Sequence, residues 1–160
     1  LSLRLTKATP EAAARTNASL IQPAPSVVYV STSGSHTFPY TNWSTAARSI
    51  QSAVSVAEAG DTVFVADGTY TLLSQVVVDR GITIRGTNAG AAVVNGGNSC
   101  RGFYVTDPSA VLEGLTITNC SSAMVNSNNY GGGVDFVNGG TIRDCKIVGN
   151  VATGTAPNGG

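Results

Sequence analysis

Apolar and polar residues alternate along this chain with two different periods. Val27-Val28-Tyr29-Val30 is a compact β-prone run. The stretch after it, 31–42, carries Gly34, Pro39 and several hydroxyl residues, a loop composition. The period then becomes helical. Ile50, Ala53, Val54 and Ala57 recur at three- and four-residue intervals, which predicts one apolar helical stripe, with Ser44 or Thr45 as its cap and Gly60 as its left-handed stop. From residue 62 the runs are short and strand-like. They fall at 62–66, 75–78, 81–85, 92–94, 102–105, 111–112, 115–118, 134–137, 141–143 and 146–148, separated by Gly and Asn.

These runs return at long intervals. Gly81-Ile82-Thr83-Ile84, Gly114-Leu115-Thr116-Ile117 and Asp144-Cys145-Lys146-Ile147 superpose at offsets of 33 and 30 residues, and Gly102-Phe103-Tyr104-Val105 superposes on Gly133-Val134-Asp135-Phe136 at 31. Hairpins would need turns of a few residues, whereas periods of 20–50 residues mark stacked repeats. One repeat cannot bury its inward side chains alone, so each is expected to stack on the one before it, Ile on Ile and Asn on Asn.

At this point the chain resembles the right-handed parallel β-helix superfamily that includes pectate lyase-like proteins and bacterial polymorphic outer-membrane-type repeat proteins. The resemblance runs from Asn42-Trp43-Ser44-Thr45-Ala46-Ala47 through Ile50-Gln51-Ser52-Ala53-Val54 to Gly60-Asp61-Thr62-Val63 and Asp67-Gly68-Thr69-Tyr70. It implies a capping helix, a Gly-Asp exit, a first rung and a turn ending in an aromatic residue. Gly131-Gly132-Gly133-Val134, Gly139-Gly140-Thr141-Ile142 and Val148-Gly149-Asn150 resemble the family's turns. The expected fold is all-β, a right-handed parallel β-helix solenoid with an N-terminal amphipathic capping helix. The expected divisions are an extended tail over 1–25, a first strand, loop and capping helix over 26–61, and coils over 62–160. Those coils are expected to be incomplete, because Ala156-Pro157-Asn158-Gly159-Gly160 resembles the approach to the run at residue 134. A chain that opens on Leu1 is likewise expected to be processed or partial.

Charge narrows the function. Nine basic residues balance nine acidic ones and charged residues are only 11% of the chain, so there is no basic excess to release counterions from nucleic acid. No run approaches the roughly 20 apolar residues of a membrane span. Surfaces of Ser, Thr and Asn suit a secreted or cell-surface protein. Cys100, Cys120 and Cys145 lack metal-ligand spacing, and the one histidine, His36, is far from them; no metal and no cofactor is expected. Cys100 and Cys120 are read either as a bridge between neighbouring coils or as small apolar residues. Asn17, Asn42 and Asn119 match the glycosylation acceptor pattern.

The resemblance raises polysaccharide cleavage, so Asp79, Arg80, Arg85, Asp107, Glu113, Asp135, Arg143, Asp144 and Lys146 are the charged residues to weigh, with Asp107 and Asp135 as a carboxylate pair and Glu113 and Arg143 as vertical neighbours. Solvated turns and exposed ion pairs are the better account of them, and no catalytic residue is assigned. Aromatic residues Tyr29, Phe38, Tyr40, Trp43, Phe64 and Tyr70 gather around the predicted helix. Most are expected to pack it, with Trp43 and Tyr40 as candidates for stacking on a sugar. Leu1, Leu3 and Leu5 alternate like a strand and are expected to pair with an adjacent subunit. The function expected is a non-catalytic extracellular structural or adhesive module that associates end to end into a filament. The alternatives are the front of a polysaccharide lyase or glycoside hydrolase, or a carbohydrate-binding module.

Overall fold

The computed structural model describes residues 26–122 and 130–152, so Leu1, Leu3, Leu5 and Asn17 lie outside the described residues. The elements in chain order are β1 Val27–Val30, α1 Ile50–Val54, β2 Thr62–Val65, β3 Gly68–Thr71, β4 Val76–Val78, β5 Thr83–Gly86, β6 Ala92–Asn95, β7 Phe103–Val105, β8 Val111–Glu113, β9 Leu115–Thr118, β10 Val134–Phe136, β11 Thr141–Arg143 and β12 Lys146–Val148. They make three sheets. The first has the order β1-β2-β5-β8-β11, the second β3-β6-β9-β12 and the third β4-β7-β10. Every strand pairing is parallel. From β2 onward the chain visits the first, second and third sheets in turn, then begins the next circuit on the first. The fold is therefore all-β with parallel sheets, as expected, and compatible with a parallel β-helix.

The period-two pattern explains the core. In β1 and β2 buried residues alternate with partly exposed ones. The buried residues then stack through the register: Val28, Val63, Ile84 and Leu112 in the first sheet, Tyr70, Val94 and Ile117 in the second, Val78 and Val105 in the third. Corners between sheets are tight. Gly114, between β8 and β9, has φ of 65°, and Asp144, in the equivalent corner between β11 and β12, has φ of 53°. Asp tolerates this left-handed conformation better than most side chains because it is short and polar. Asn150 spans two circuits, its Oδ1 accepting from Cys120 N at 2.9 Å and its Nδ2 donating to Ile117 O at 2.9 Å. The expectation of Asn on Asn thus becomes, here, an Asn amide on the neighbouring backbone.

Four details depart from the sequence reading. The offset of 33 does not hold, because Ile82-Thr83-Ile84 leads through the first sheet and Leu115-Thr116-Ile117 through the second. Ile84 sits on Leu112, whereas Ile117 sits on Val94 and Ile147. In the first sheet the register steps from Thr62 to Thr83, Val111 and Thr141, intervals of 21, 28 and 30 residues. An apolar-polar-apolar run is common to all three sheets, so it does not say which one a run occupies. The second departure is β3, expected as a turn, whose single inward residue Tyr70 is too little to make an alternation visible. The third is the helix cap. It is Ser49, whose side chain accepts from Ser52 N, while Ser44 and Thr45 belong to a turn held by the Asn42 side chain. Finally, the helix has five residues and ends before Ser55, so Gly60, with φ of 94°, serves the turn into β2 and does not stop the helix.

Candidate functional site

Strand geometry sends the residues between the buried ones to the outer face, and in the first sheet the register lines them up. Tyr29 pairs with Phe64, Phe64 with Arg85, Arg85 with Glu113 and Glu113 with Arg143. Neighbouring strands lie about 4.8 Å apart, so this row of five residues is about 19 Å long. Its first part is aromatic. The Tyr29 and Phe64 rings stack with centroids 6.3 Å apart, and Trp43 meets Tyr29 edge-on at 4.6 Å while remaining 44% exposed. Its second part is charged. Glu113 is held between Arg85 at 3.3 Å and Arg143 at 2.8 Å. The sequence points to Arg85, Glu113 and Arg143, and Glu113 and Arg143 are vertical neighbours as read. It groups Tyr29 and Phe64 with helix-packing residues; their shared outward parity with Arg85 is the signal that marks them otherwise.

Tyr40, paired with Trp43 in the sequence reading, has its ring in the core, 8% exposed. Its backbone carbonyl accepts from Tyr29 N at 2.8 Å, fastening the loop before the helix along β1. Trp43 is the exposed ring of the two. His36 accepts at Nδ1 from Arg48 N at 3.1 Å, so this imidazole nitrogen is engaged with the backbone.

The remaining charged candidates have local partners. Asp79 pairs with Arg80 at 2.9 Å, and that hydrogen bond, set against a smaller effect of burial, holds its carboxyl below the usual range. Arg80 also donates to Ala57 O. Asp107 accepts from Ser109 N within its own turn. Asp135 lies in register with Tyr104, not with Asp107, and bonds Arg101 at 3.3 Å. The proposed carboxylate pair is thus not brought into register. Arg101 is absent from the sequence candidates. It is 2% exposed, reaches Gly131 O and Tyr130 O at 2.9 and 2.7 Å, and lies over the Tyr104 ring at 5.5 Å. A buried Arg is so infrequent that sequence alone gives no cue to it. Asp144 occupies its left-handed corner and Lys146 an exposed position on β12.

All three cysteines are free thiols, Cys100 and Cys120 buried and Cys145 half-buried. Burial pushes the Cys120 thiol up to about 11, with nearby Cys100 adding to it. Among the described residues no group of three or more His, Cys, Asp or Glu side chains is placed to hold a metal ion. No helix among them is long and apolar enough to cross a membrane. The chain matches no family model, no curated protein and no solved structure with which it was compared.

Proposed function

We propose that the three sheets are the faces of a right-handed parallel β-helix, closed at its start by α1 and the loop before it, and that this solenoid is a non-catalytic structural or adhesive module outside the cell. Right-handedness follows from the strong preference of parallel crossover connections for that hand. A capping role for α1 is supported by its packing, since Ile50, Ala53 and Val54 are buried and the helix touches β1, β2 and β4.

The observation that carries the function is the bonding of the charged candidates. Glu113 is bracketed by two arginines and Asp135 is bonded by a buried one, so each carboxylate works between circuits and is not poised toward a substrate. Imaging the native material by electron microscopy tests this reading. Continuous fibres with a subunit-length repeat are expected. Separate rods, together with cleavage of any member of a panel of acidic and neutral glycans, would overturn it in favour of a lyase or hydrolase.

The aromatic row favours a second reading, a glycan-binding surface without turnover. Trp43, Tyr29 and Phe64 offer stacking faces continuous with the guanidinium groups of Arg85 and Arg143. Trp43→Ala should then reduce retention on immobilised glycans by about tenfold, the loss of one well-placed aromatic contact. Unchanged retention, or none by the native protein, rejects it.

A further inference from the structure

Strands β1, β3 and β4 end their sheets at the start of the chain, β1 one level beyond the circuit of β3 and β4, and a sheet edge leaves backbone N–H and C=O groups to be satisfied elsewhere. Two of the three edges are covered. Along β1, Tyr29 N donates to Tyr40 O, Ser31 N to Ala47 O, and Ala47 N to Tyr29 O, at 2.8–2.9 Å. Along β4, Gln51 of α1 acts as a substitute peptide group. Its Oε1 accepts from Val77 N at 2.7 Å and its Nε2 lies 3.5 Å from Val77 O.

The edge of β3 is different. Gly68 N and Leu72 N donate to Ala91 O and Asn95 O in the direction of β6. By the alternation of a strand, the N–H and C=O groups of Thr69 and Thr71 face the other way. No group among the described residues accepts from Thr69 N or Thr71 N. A groove of about 400 Å³ is lined by residues 69–74 of this edge together with Thr32, Arg48 and residues 49–52. Its apolar lining includes Ile50, Tyr70, Leu72 and Val76, and at its rim Leu73 is fully exposed. An uncovered strand edge over an apolar floor is the geometry of strand addition.

We propose that this groove receives residues 1–5 of the same chain, Leu1-Ser2-Leu3-Arg4-Leu5, as a strand added to β3. The alternation fits the place: three leucines at every second position can face the floor while Ser2 and Arg4 face water. Length permits it. Thr32, which lines the groove, is six residues from Ser26, a distance of at most about 20 Å, whereas the 20 residues between Leu5 and Ser26 can span about 66 Å. Tethering favours the chain's own segment over a neighbour's, because a short linker gives an effective concentration near the millimolar range. The proposal stands independently of what the outer face of the first sheet binds.

Amide hydrogen exchange on the full chain, resolved by residue, tests it. Thr69 and Thr71 amides are expected to be protected, to exchange at least about tenfold faster in Leu1→Asp/Leu3→Asp/Leu5→Asp, and to show no dependence on protein concentration. Val94, inside the second sheet, reports that the fold is intact. A second variant, Thr71→Pro, removes an N–H from the free edge without removing a bond to β6, and is expected to release protection at Leu3 and Leu5. Unprotected Thr69 and Thr71 in the native chain, or protection unchanged by the leucine variant, would overturn the proposal. Protection that grows with concentration would also overturn it and assign the groove to a second copy.

Discussion

Gly86 closes the inner end of β5 under a carbonyl of the next circuit. A Cβ there would lie 2.4 Å from Gly114 O and 3.2 Å from its carbonyl carbon, both backbone atoms that cannot swing aside. Gly86→Ala should therefore force two circuits apart and cost about 1–3 kcal/mol in a urea melt. Asp61 ties the start of β1 to the turn before β2. Burial by itself would raise its pKa, but the N–H groups of Glu58 and Ser26, at 2.9 and 2.8 Å, outweigh this and hold the carboxyl below its ordinary value. A depressed folded pKa means that the ionised group stabilises the fold above its unfolded pKa, near 3.9, and that this contribution is lost as pH falls through the folded value. Asp61→Asn should cost about 1 kcal/mol at pH 7, since one N–H then faces an amide donor. The gap between variant and native stability should narrow below pH 4 in parallel denaturation curves. Neither constraint is legible in the sequence, because a glycine forced by packing and a glycine in a turn are the same letter, and so are a bonded aspartate and a solvated one.

Strands with two inward apolar residues, such as Leu115-Thr116-Ile117, announce themselves in the sequence, and so does the buried stripe Ile50, Ala53, Val54 and Ala57. What the local pattern lacks is identity of sheet. The third-sheet match of Phe103 with Val134 reads in register because both runs follow a glycine, whereas Ile82 and Leu115 align across two sheets for the same reason. The outer row of the first sheet becomes visible only once the unequal circuits are known, since its members are 35, 21, 28 and 30 residues apart. Gln51 is equally silent. On a helix it reads as a polar face, yet it completes the edge of β4. Gln51→Ala should leave the fold in place at a cost of about 0.5–1 kcal/mol, because Val77 is 37% exposed and water can replace the amide. Its signature would be faster exchange at the Val77 amide alone, with Tyr104 and Val105 on the neighbouring strand of the third sheet unaffected.

Among the described residues the outer strands of the three sheets are treated differently. At the beginning, Ala47 lies along β1 and Gln51 along β4, so only β3 retains an uncovered edge among the described residues. On the last described circuit, β11 and β12 are exposed throughout and display Ile142, Ile147 and Val148. Under the proposed end-to-end association, β3 is the edge at the beginning of a molecule that is able to accept a strand from a neighbour. Residues 1–5 would occupy that same edge, so the internal strand and the neighbouring molecule compete. This reverses the effect expected if Leu1, Leu3 and Leu5 reached across to an adjacent subunit. Replacing the three leucines with Asp should then promote association, lowering the concentration at which sedimentation detects oligomers by about tenfold, the effect of removing an internal competitor worth about 1.4 kcal/mol. Weaker association of the leucine variant would instead make the first five residues the link between molecules.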